Sequence, residues 1–257
     1  MAEAKTAVAH KPVWVDLSTS DAEAARNFYA KLFGWKLEVN PDPQYGGYAL
    51  AKLGGKDVAG IGPKMMAEAP TAWSVYIGSG DAADTVKKAE AAGGKVVVAP
   101  MEVGDQGTMA FVQDPSGAVI GVWQLKKMTG AQVMGQANSF GWAELQSRGV
   151  DKALPFYKKI FGWGEKKSDM AEGAQYTEFL VSGESIAGAT VMMPMVPAEV
   201  PCYWLVYFTV ADVDKSFKTA IDSGGKEMLA PQDFPGGRFA IISDPQGAAF
   251  GLLKMKA

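Results

Sequence analysis

The sequence contains the same helix ending twice. FYAKLFGW at residues 28–35 is followed 128 positions later by FYKKIFGW at residues 156–163. The correspondence extends on both sides, because WVDL from residue 14 matches WAEL from residue 142 and DPSGA from residue 114 matches DPQGA from residue 244. Self-similarity at a fixed period indicates repeated structural units. The chain is therefore a tandem duplication of a unit of about 125 residues, which is an ordinary size for one domain.

Within each half, the hydrophobic period predicts a strand, a helix and three more strands, and then the same order again. Residues 13–18 alternate between apolar positions and more polar ones, with the two-residue period of a strand. The stretch SDAE at residues 20–23 resembles a capping box that would start a helix at Ser20, and Gly34 would end that helix. The chain thus reads as four βαβββ modules. Residues 8–126 form the predicted first domain and residues 137–256 the second.

Composition excludes several classes of function. With 48% hydrophobic and 21% charged residues, 257 residues can bury two cores. No apolar run approaches the roughly 18 residues that cross a bilayer, and the first twelve residues lack the apolar centre of a signal peptide. The net charge is −3 and the basic residues are scattered, which disfavours nucleic acid as a partner. The single Cys202 excludes an intrachain disulfide and is most simply a packed residue of a cytoplasmic protein.

Three motifs carry a resemblance to a known family. They are the segment WVDLSTSDAEAARNFYAKLFGW, the Gly-Gly after the second predicted helix, and the Asp-Pro-x-Gly turn into the final strand of each half. Together they resemble the vicinal oxygen chelate superfamily, which includes glyoxalase I, extradiol dioxygenases and bleomycin-resistance proteins. The resemblance spans nearly the whole chain. It implies an α+β fold with two half-barrel domains, in which modules one and two pair and modules three and four pair, with pairing of one with four as the alternative.

The resemblance also implies where a metal would bind. Metal-dependent members place His, Gln or Glu at four positions per domain. The corresponding residues here are Trp14, Gly60, Ser74 and Gly121 in the first half and Trp142, Gly188, Leu205 and Gly251 in the second. None of these is a plausible ligand for a divalent metal. The only histidine, His10, precedes the first strand and is most simply a solvated terminal residue. We therefore expect no metal or other cofactor.

Strand alternation predicts which side chains face a ligand instead, because residues two apart share one face of a sheet. Glycines at the former ligand positions should leave room, and aromatic residues should supply walls. The predicted ligand-binding residues are Trp14, Ser18, Tyr48, Gly60, Ser74, Tyr76, Gly121 and Trp123, and then Trp142, Gln146, Tyr176, Gly188, Leu205, Tyr207, Arg238 and Gly251. The alternatives are cavity filling for Trp14 and Trp142, strand packing for Tyr48 and Tyr176, and surface exposure for Arg238.

Three functions fit this pattern. The first is a metal-independent protein that sequesters a small aromatic or drug-like molecule. The second is a metal-free, glyoxalase-like or hydroxylase-associated enzyme in which Asp16 or Glu144 is a catalytic general base. The third is an interaction module with vestigial sites. Because the duplication supplies both module partners within one chain, we expect a monomer whose partner is a small organic ligand, with no nucleic acid or membrane.

Overall fold

Four βαβββ modules make up the fold, in a computed structural model that describes residues 10–169, 175–194 and 196–256. Module one is β1 (Pro12–Thr19), α1 (Ala22–Phe33), β2 (Lys36–Val39), a short 3-10 turn (Pro43–Tyr45), β3 (Ala49–Leu53) and β4 (Lys56–Pro63). Module two is β5 (Ala72–Ser79), α2 (Ala82–Ala91), β6 (Lys95–Val103), β7 (Gly107–Gln113) and β8 (Val119–Leu125). The predicted α+β fold class is therefore confirmed in the first half.

The second half repeats the order. Module three is β9 (Ser139–Ser147), α3 (Val150–Phe161), β10 (Gly164–Asp169), β11 (Gln175–Val181) and β12 (Glu184–Val191). Module four is β13 (Tyr203–Thr209), α4 (Val213–Asp222), β14 (Lys226–Phe234), β15 (Gly237–Ser243) and β16 (Ala249–Met255). None of the helices in the described ranges is long and apolar enough to cross a membrane.

Each half of the chain forms one eight-stranded sheet. The strand order is β2-β3-β4-β1-β5-β8-β7-β6 in the first sheet and β10-β11-β12-β9-β13-β16-β15-β14 in the second. Within every module the first strand runs parallel to the last, and the other neighbours are antiparallel. Modules one and two thus share a sheet, as do three and four, in agreement with the expected pairing.

The chain divides into two compact units that differ from its two halves. One compact unit contains the described residues of Met1–Val13, Val75–Gly130 and Ala143–Trp204, which are mainly modules two and three. The other contains those of Trp14–Ser74, Ala131–Trp142 and Leu205–Ala257, which are mainly modules one and four. Helix α2 packs on α3 inside the first unit, and α1 packs on α4 inside the second. The module pairing that we listed as the alternative therefore describes the packing of the helices.

A buried triad of side chains connects Tyr29 of module one, Asp244 of module four and Trp73 at the start of module two. The hydroxyl of Tyr29 donates a hydrogen bond to Asp244 Oδ2 at 3.0 Å and accepts one from Trp73 Nε1 at 2.8 Å. Tyr29 has no solvent exposure, and Trp73 is 4% exposed. Because a buried polar group is costly without a partner, both bonds matter for stability.

The corresponding triad connects Tyr157 of module three, Asp114 of module two and Trp204 at the start of module four. The hydroxyl of Tyr157 donates to Asp114 Oδ2 at 2.8 Å and accepts from Trp204 Nε1 at 2.8 Å. Tyr157 is again fully buried. The FYxK helix motif thus repeats because its tyrosine reaches a carboxylate in the other half of the chain.

The same two carboxylates explain the repeated DPxGA motif. Asp114 Oδ1 accepts backbone N–H bonds from Ser116, Gly117 and Ala118, at 2.7, 2.9 and 3.2 Å. Asp244 Oδ1 accepts the equivalent bonds at residues 246 and 248, both at 2.9 Å. One oxygen of each aspartate therefore holds its own turn, while the other binds a distant tyrosine.

Two local predictions need correction. The N-cap of α1 is Asp21 rather than Ser20, since the Asp21 side chain accepts from the Ala24 N–H. His10 is not simply a solvated terminal residue. Its carbonyl accepts a bond from Trp163 Nε1 at 2.6 Å and its N–H donates to Gly78 O at 2.7 Å. His10 therefore fixes the start of β1 through its backbone, at a φ of 65°.

Candidate functional site

In modules one and three, a tyrosine covers the glycine at the former metal-ligand position. A Cβ atom on Gly60 would lie 1.7 Å from the Tyr48 hydroxyl oxygen, and one on Gly188 would lie 1.9 Å from that of Tyr176. Such distances are far below van der Waals contact, so no larger residue fits while the rings stay in place. The tyrosine that occupies the space over the glycine comes from just before β3 in module one and from β11 in module three.

In modules two and four a tyrosine also covers the glycine, but here the tyrosine lies on the first strand of the module. Tyr76 lies opposite Gly121 in the β5–β8 pair, and Tyr207 lies opposite Gly251 in the β13–β16 pair. A Cβ atom would lie 2.5 Å from the Tyr76 ring at Gly121 and 1.9 Å from the Tyr207 ring at Gly251. All four modules therefore pair a glycine with a tyrosine ring.

These residues do not fit a divalent metal. The remaining four family positions hold Trp14, Ser74, Trp142 and Leu205, which offer at most one serine hydroxyl. Across residues 10–169, 175–194 and 196–256, no three His, Cys, Asp or Glu side chains are grouped as a metal site would need. The side chains at these faces offer aromatic, carboxylate, amide and hydroxyl groups.

The module-one face is the set of side chains that share the Gly60 side of β1, β3 and β4. Its members are Trp14, Asp16, Ser18, Tyr48, Leu50 and Gly60. Trp14 Nε1 donates to the Tyr48 hydroxyl at 3.1 Å. Trp14 is only 4% exposed, whereas Asp16, Ser18, Tyr48 and Leu50 are half-buried. Trp14 thus orients Tyr48 more than it offers surface of its own.

The electrostatics of this face keep Tyr48 protonated. Burial raises the pKa of Tyr48 well above 10.0, and the negative charge of Asp16 raises it further, against the opposite effect of the bond from Trp14. Because the hydroxyl oxygen already accepts from Trp14, its hydrogen can be donated to another acceptor. The face therefore combines one directed donor with one carboxylate.

The module-three face is the corresponding set on β9, β11 and β12. Its members are Trp142, Glu144, Gln146, Tyr176, Glu178, Gly188 and Thr190. Gln146 Nε2 donates to Glu144 Oε1 at 2.5 Å. Burial raises the pKa of the nearby Tyr203, and the charge of Glu144 adds to that effect. Gln146 is 6% exposed, while Trp142, Glu144 and Tyr176 are half-buried.

In module two, the predicted residues form a closely packed aromatic group. The Tyr76 ring lies 5.2 Å from that of Phe111 and 6.4 Å from that of Trp123, measured between centroids. Trp123 Nε1 donates to Met128 O at 3.0 Å. Tyr76 and Trp123 are only 4% and 6% exposed, so they pack beneath the surface and offer little area for contact with a ligand.

In module four, Arg238 is separated from the other predicted residues. Its guanidinium forms two bonds with Asp214, at 2.7 and 2.8 Å, and one with Asp233 at 3.2 Å. The next residue, Phe239, packs 6.4 Å from the Tyr207 ring. Since neighbouring residues of a strand point to opposite faces, Arg238 projects away from Tyr207. Leu205 is fully buried.

Comparison with known proteins shows the family to which the chain belongs. The Glyoxalase/Bleomycin resistance protein/Dioxygenase superfamily matches residues 11–122 and again residues 139–252. The chain belongs to this superfamily, with two tandem copies of its domain. The resemblance inferred from the repeated motifs is therefore confirmed.

Two kinds of relative cover nearly the whole chain. "Putative glyoxylase CFP32" of Mycobacterium tuberculosis is 39% identical over 248 residues, which are 95% of this chain and 94% of that protein. "Anthracycline biosynthesis protein DnrV" of Streptomyces peucetius is 34% identical over 259 residues, which are 95% of this chain and 93% of that protein.

Solved structures show the same fold at much lower sequence identity. The Mn(II)-bound glyoxalase of Novosphingobium aromaticivorans has a TM-score of 0.65 at 18% identity, over 95% of this chain and 82% of that one. The 2,3-dioxygenase LapB of Pseudomonas sp. KL28 has a TM-score of 0.63 at 12% identity, over 96% and 93%. These likenesses concern the fold alone.

Proposed function

We propose that this protein binds a small aromatic molecule without a metal, as a monomer in the cytoplasm, using the module-one face and the module-three face. The observation that carries the proposal is the repeated arrangement of Tyr48 over Gly60 beside Asp16, which recurs as Tyr176 over Gly188 beside Glu144. In both copies the arrangement places a hydroxyl donor beside a carboxylate, which are the two polar groups that a bound ligand would need.

The chemistry of the module-one face fits a planar molecule with oxygen substituents. The Tyr48 hydroxyl supplies a donor, and the Asp16 carboxylate accepts from a hydroxyl or amine of the ligand. The half-buried Leu50 and the Tyr48 ring supply apolar contact. The similarity to an anthracycline biosynthesis protein supports fused aromatic rings as the ligand class, and an anthracycline is therefore the first probe.

The decisive test is titration calorimetry of the purified protein with an anthracycline. Tyr48→Phe should weaken binding by about 0.5–1.5 kcal/mol, the value of one hydrogen bond. It should also lower stability, because Trp14 Nε1 loses the acceptor of its hydrogen bond. Tyr45→Phe, on the 3-10 turn outside the face, is the matched control and should bind as the parent does. Mass spectrometry of the denatured protein would identify any molecule that co-purifies. Equal affinity of the parent and Tyr48→Phe would exclude Tyr48 from the site.

A metal-free enzyme is the second candidate, favoured by the placement of a carboxylate beside a protonated tyrosine. In that case Asp16 or Glu144 takes a proton from the substrate while the tyrosine donates to the developing oxygen charge. The glyoxylase description of CFP32 belongs to that relative and makes an α-oxoaldehyde adduct a suitable trial substrate. Loss of turnover in Asp16→Asn or Glu144→Gln, with ligand affinity retained, would select this function over binding alone.

A further inference from the structure

Tyr203, the first residue of β13, points away from the helix of module three. The ring of Tyr157, on α3, lies 5.5 Å from that of Phe179 on β11 and 5.4 Å from that of Trp204 on β13. Phe179 and Trp204 therefore point towards the helix. Because neighbouring residues of a strand point to opposite faces, Glu178 and Tyr203 point to the other side of the sheet.

That other side is the module-three face. Glu178 is opposite Gly188 in the β11–β12 pair, and Gly188 is opposite Glu144 in the β12–β9 pair. Strand β13 lies next to β9 in the sheet. Burial raises the pKa of Tyr203 and the charge of Glu144 raises it further, as expected for neighbours on one face. Tyr203 therefore borders the row that contains Glu144.

Tyr203 also keeps part of its ring exposed. It is half-buried, whereas the next five residues of β13 are buried. Leu205 and Tyr207 point to the same side of the strand as Tyr203 but are 0% and 5% exposed. Of these three side chains, Tyr203 is the one that offers a ligand apolar surface.

The charged groups of the face already have partners within the protein. Glu178 accepts hydrogen bonds from Ser185 and from Lys166, whose ammonium lies 3.0 Å from Glu178 Oε1. Glu144 accepts from Gln146 at 2.5 Å. A ligand therefore gains more from contact with an aromatic ring than from these charges, and an uncharged ring suits the face.

Resting on the proposed function, we infer that Tyr203 is a ligand-binding residue of the module-three face, and that an uncharged aromatic ring stacks on it. The ring of Tyr203 supplies this contact, and its hydroxyl is not required. In the first half, Ala72 takes the corresponding position, since Trp73 matches Trp204. The module-one face lacks this contact.

Two probes of one skeleton test the inference on the full chain. 1-Naphthol and decahydro-1-naphthol carry the same hydroxyl, but only the first has aromatic rings. Labelling with 3-fluorotyrosine gives each of the eight tyrosines its own fluorine NMR signal, assigned by tyrosine-to-phenylalanine substitution. The Tyr176 signal then measures affinity at the module-three face, and the Tyr48 signal measures it at the module-one face. 1-Naphthol should shift the Tyr203 signal through its ring current, and decahydro-1-naphthol should shift it much less.

Two substitutions separate the ring from the hydroxyl. Tyr203→Leu keeps an apolar side chain but removes the ring, so it should weaken binding of 1-naphthol at the Tyr176 signal by about two- to tenfold, the value of one aromatic pair. Its affinity for decahydro-1-naphthol, and the affinity read from the Tyr48 signal, should stay unchanged. Tyr203→Phe keeps the ring and should bind 1-naphthol as the parent protein does.

The outcomes separate this inference from the function on which it rests. If neither 1-naphthol nor an anthracycline shifts the Tyr48 or Tyr176 signal, aromatic binding itself is refuted, and the inference with it. If an aromatic probe binds but 1-naphthol leaves the Tyr176 signal in place, the inference alone is refuted. The same holds if Tyr203→Leu leaves the affinity for 1-naphthol unchanged or weakens both probes equally. Circular dichroism of each variant checks that its fold is kept.

Discussion

Removing one hydroxyl from the Tyr29 triad should destabilise the protein far more than an ordinary tyrosine-to-phenylalanine change. Tyr29→Phe keeps the ring and its packing, so it creates almost no cavity. It removes the bond to Asp244 at 3.0 Å and the bond from Trp73 at 2.8 Å. Both partners are buried, at 1% and 4% exposure, and water cannot easily replace the hydroxyl.

The expected magnitude follows from the two groups left without a partner. An unsatisfied buried donor or acceptor costs about 1–3 kcal/mol, so the loss of two partners in Tyr29→Phe should lower the free energy of unfolding by about 2–6 kcal/mol. Tyr157→Phe removes the equivalent bonds at 2.8 Å and should cost a similar amount. The two triads share no residue, so the double variant should lose about the sum.

Urea unfolding followed by circular dichroism measures these values, with Tyr45→Phe as a control expected to change stability by less than about 0.5 kcal/mol. The slope of the unfolding free energy against urea should stay constant, because the surface exposed on unfolding is unchanged. If Tyr29→Phe and Tyr157→Phe both behave like the control, the triads do not hold modules of the two halves together, and that reasoning is wrong.

Four further results are expected. Burial raises the pKa of Asp244 above 3.8. The stability that protonated Asp244 contributes is therefore complete below that pH and is lost as the pH rises through the folded-state pKa. In urea unfolding between pH 3 and 7, the free energy of unfolding of Asp244→Asn should fall less with rising pH than that of the parent protein. Elemental analysis should find far less than one transition metal per domain, and a value near one would contradict the fit of tyrosines over the glycines. Light scattering at micromolar concentration should give the mass of one chain, and a stable dimer would oppose that expectation. Trp14→Ala and Trp142→Ala should each weaken anthracycline binding by about 1–3 kcal/mol, and unchanged affinity in both would show that the faces are assigned wrongly.

The fold was predictable because its determinants repeat locally. The octapeptide at residues 28–35 and the strand pattern from Trp14 recur with a fixed spacing. Alternation placed Asp16 on the face of Trp14, and the resemblance to the family indicated Gly60; the register shows Asp16 opposite Gly60. The positions of the glycines also indicated where space would be left. These signals depend only on neighbours in sequence, which is why they could be read directly.

The contents of the faces could not be read in the same way. The Tyr48 ring that fills the space over Gly60 comes from the residue before β3, and its direction depends on the bond from Trp14. The partner of Tyr29 lies 215 residues away, and no local pattern specifies a contact of that range. Neighbouring residues of a strand point to opposite faces of the sheet, so Phe239 and Arg238 lie on different faces. Applied at that position, this rule would have placed Arg238 away from Tyr207.

The triads also carry a record of ancestry. Tyr29 of the first half binds Asp244 of the second, and Tyr157 of the second binds Asp114 of the first. The indole bonds are reciprocal too, since Trp35 donates to Asn138 O and Trp163 donates to His10 O. Such exchange is the mark of an isologous two-fold interface between identical subunits. A gene fusion that joined an ancestral homodimer would leave this pattern, and the chain cut between residues 126 and 138 should reassemble from its two fragments rather than fold as separate pieces.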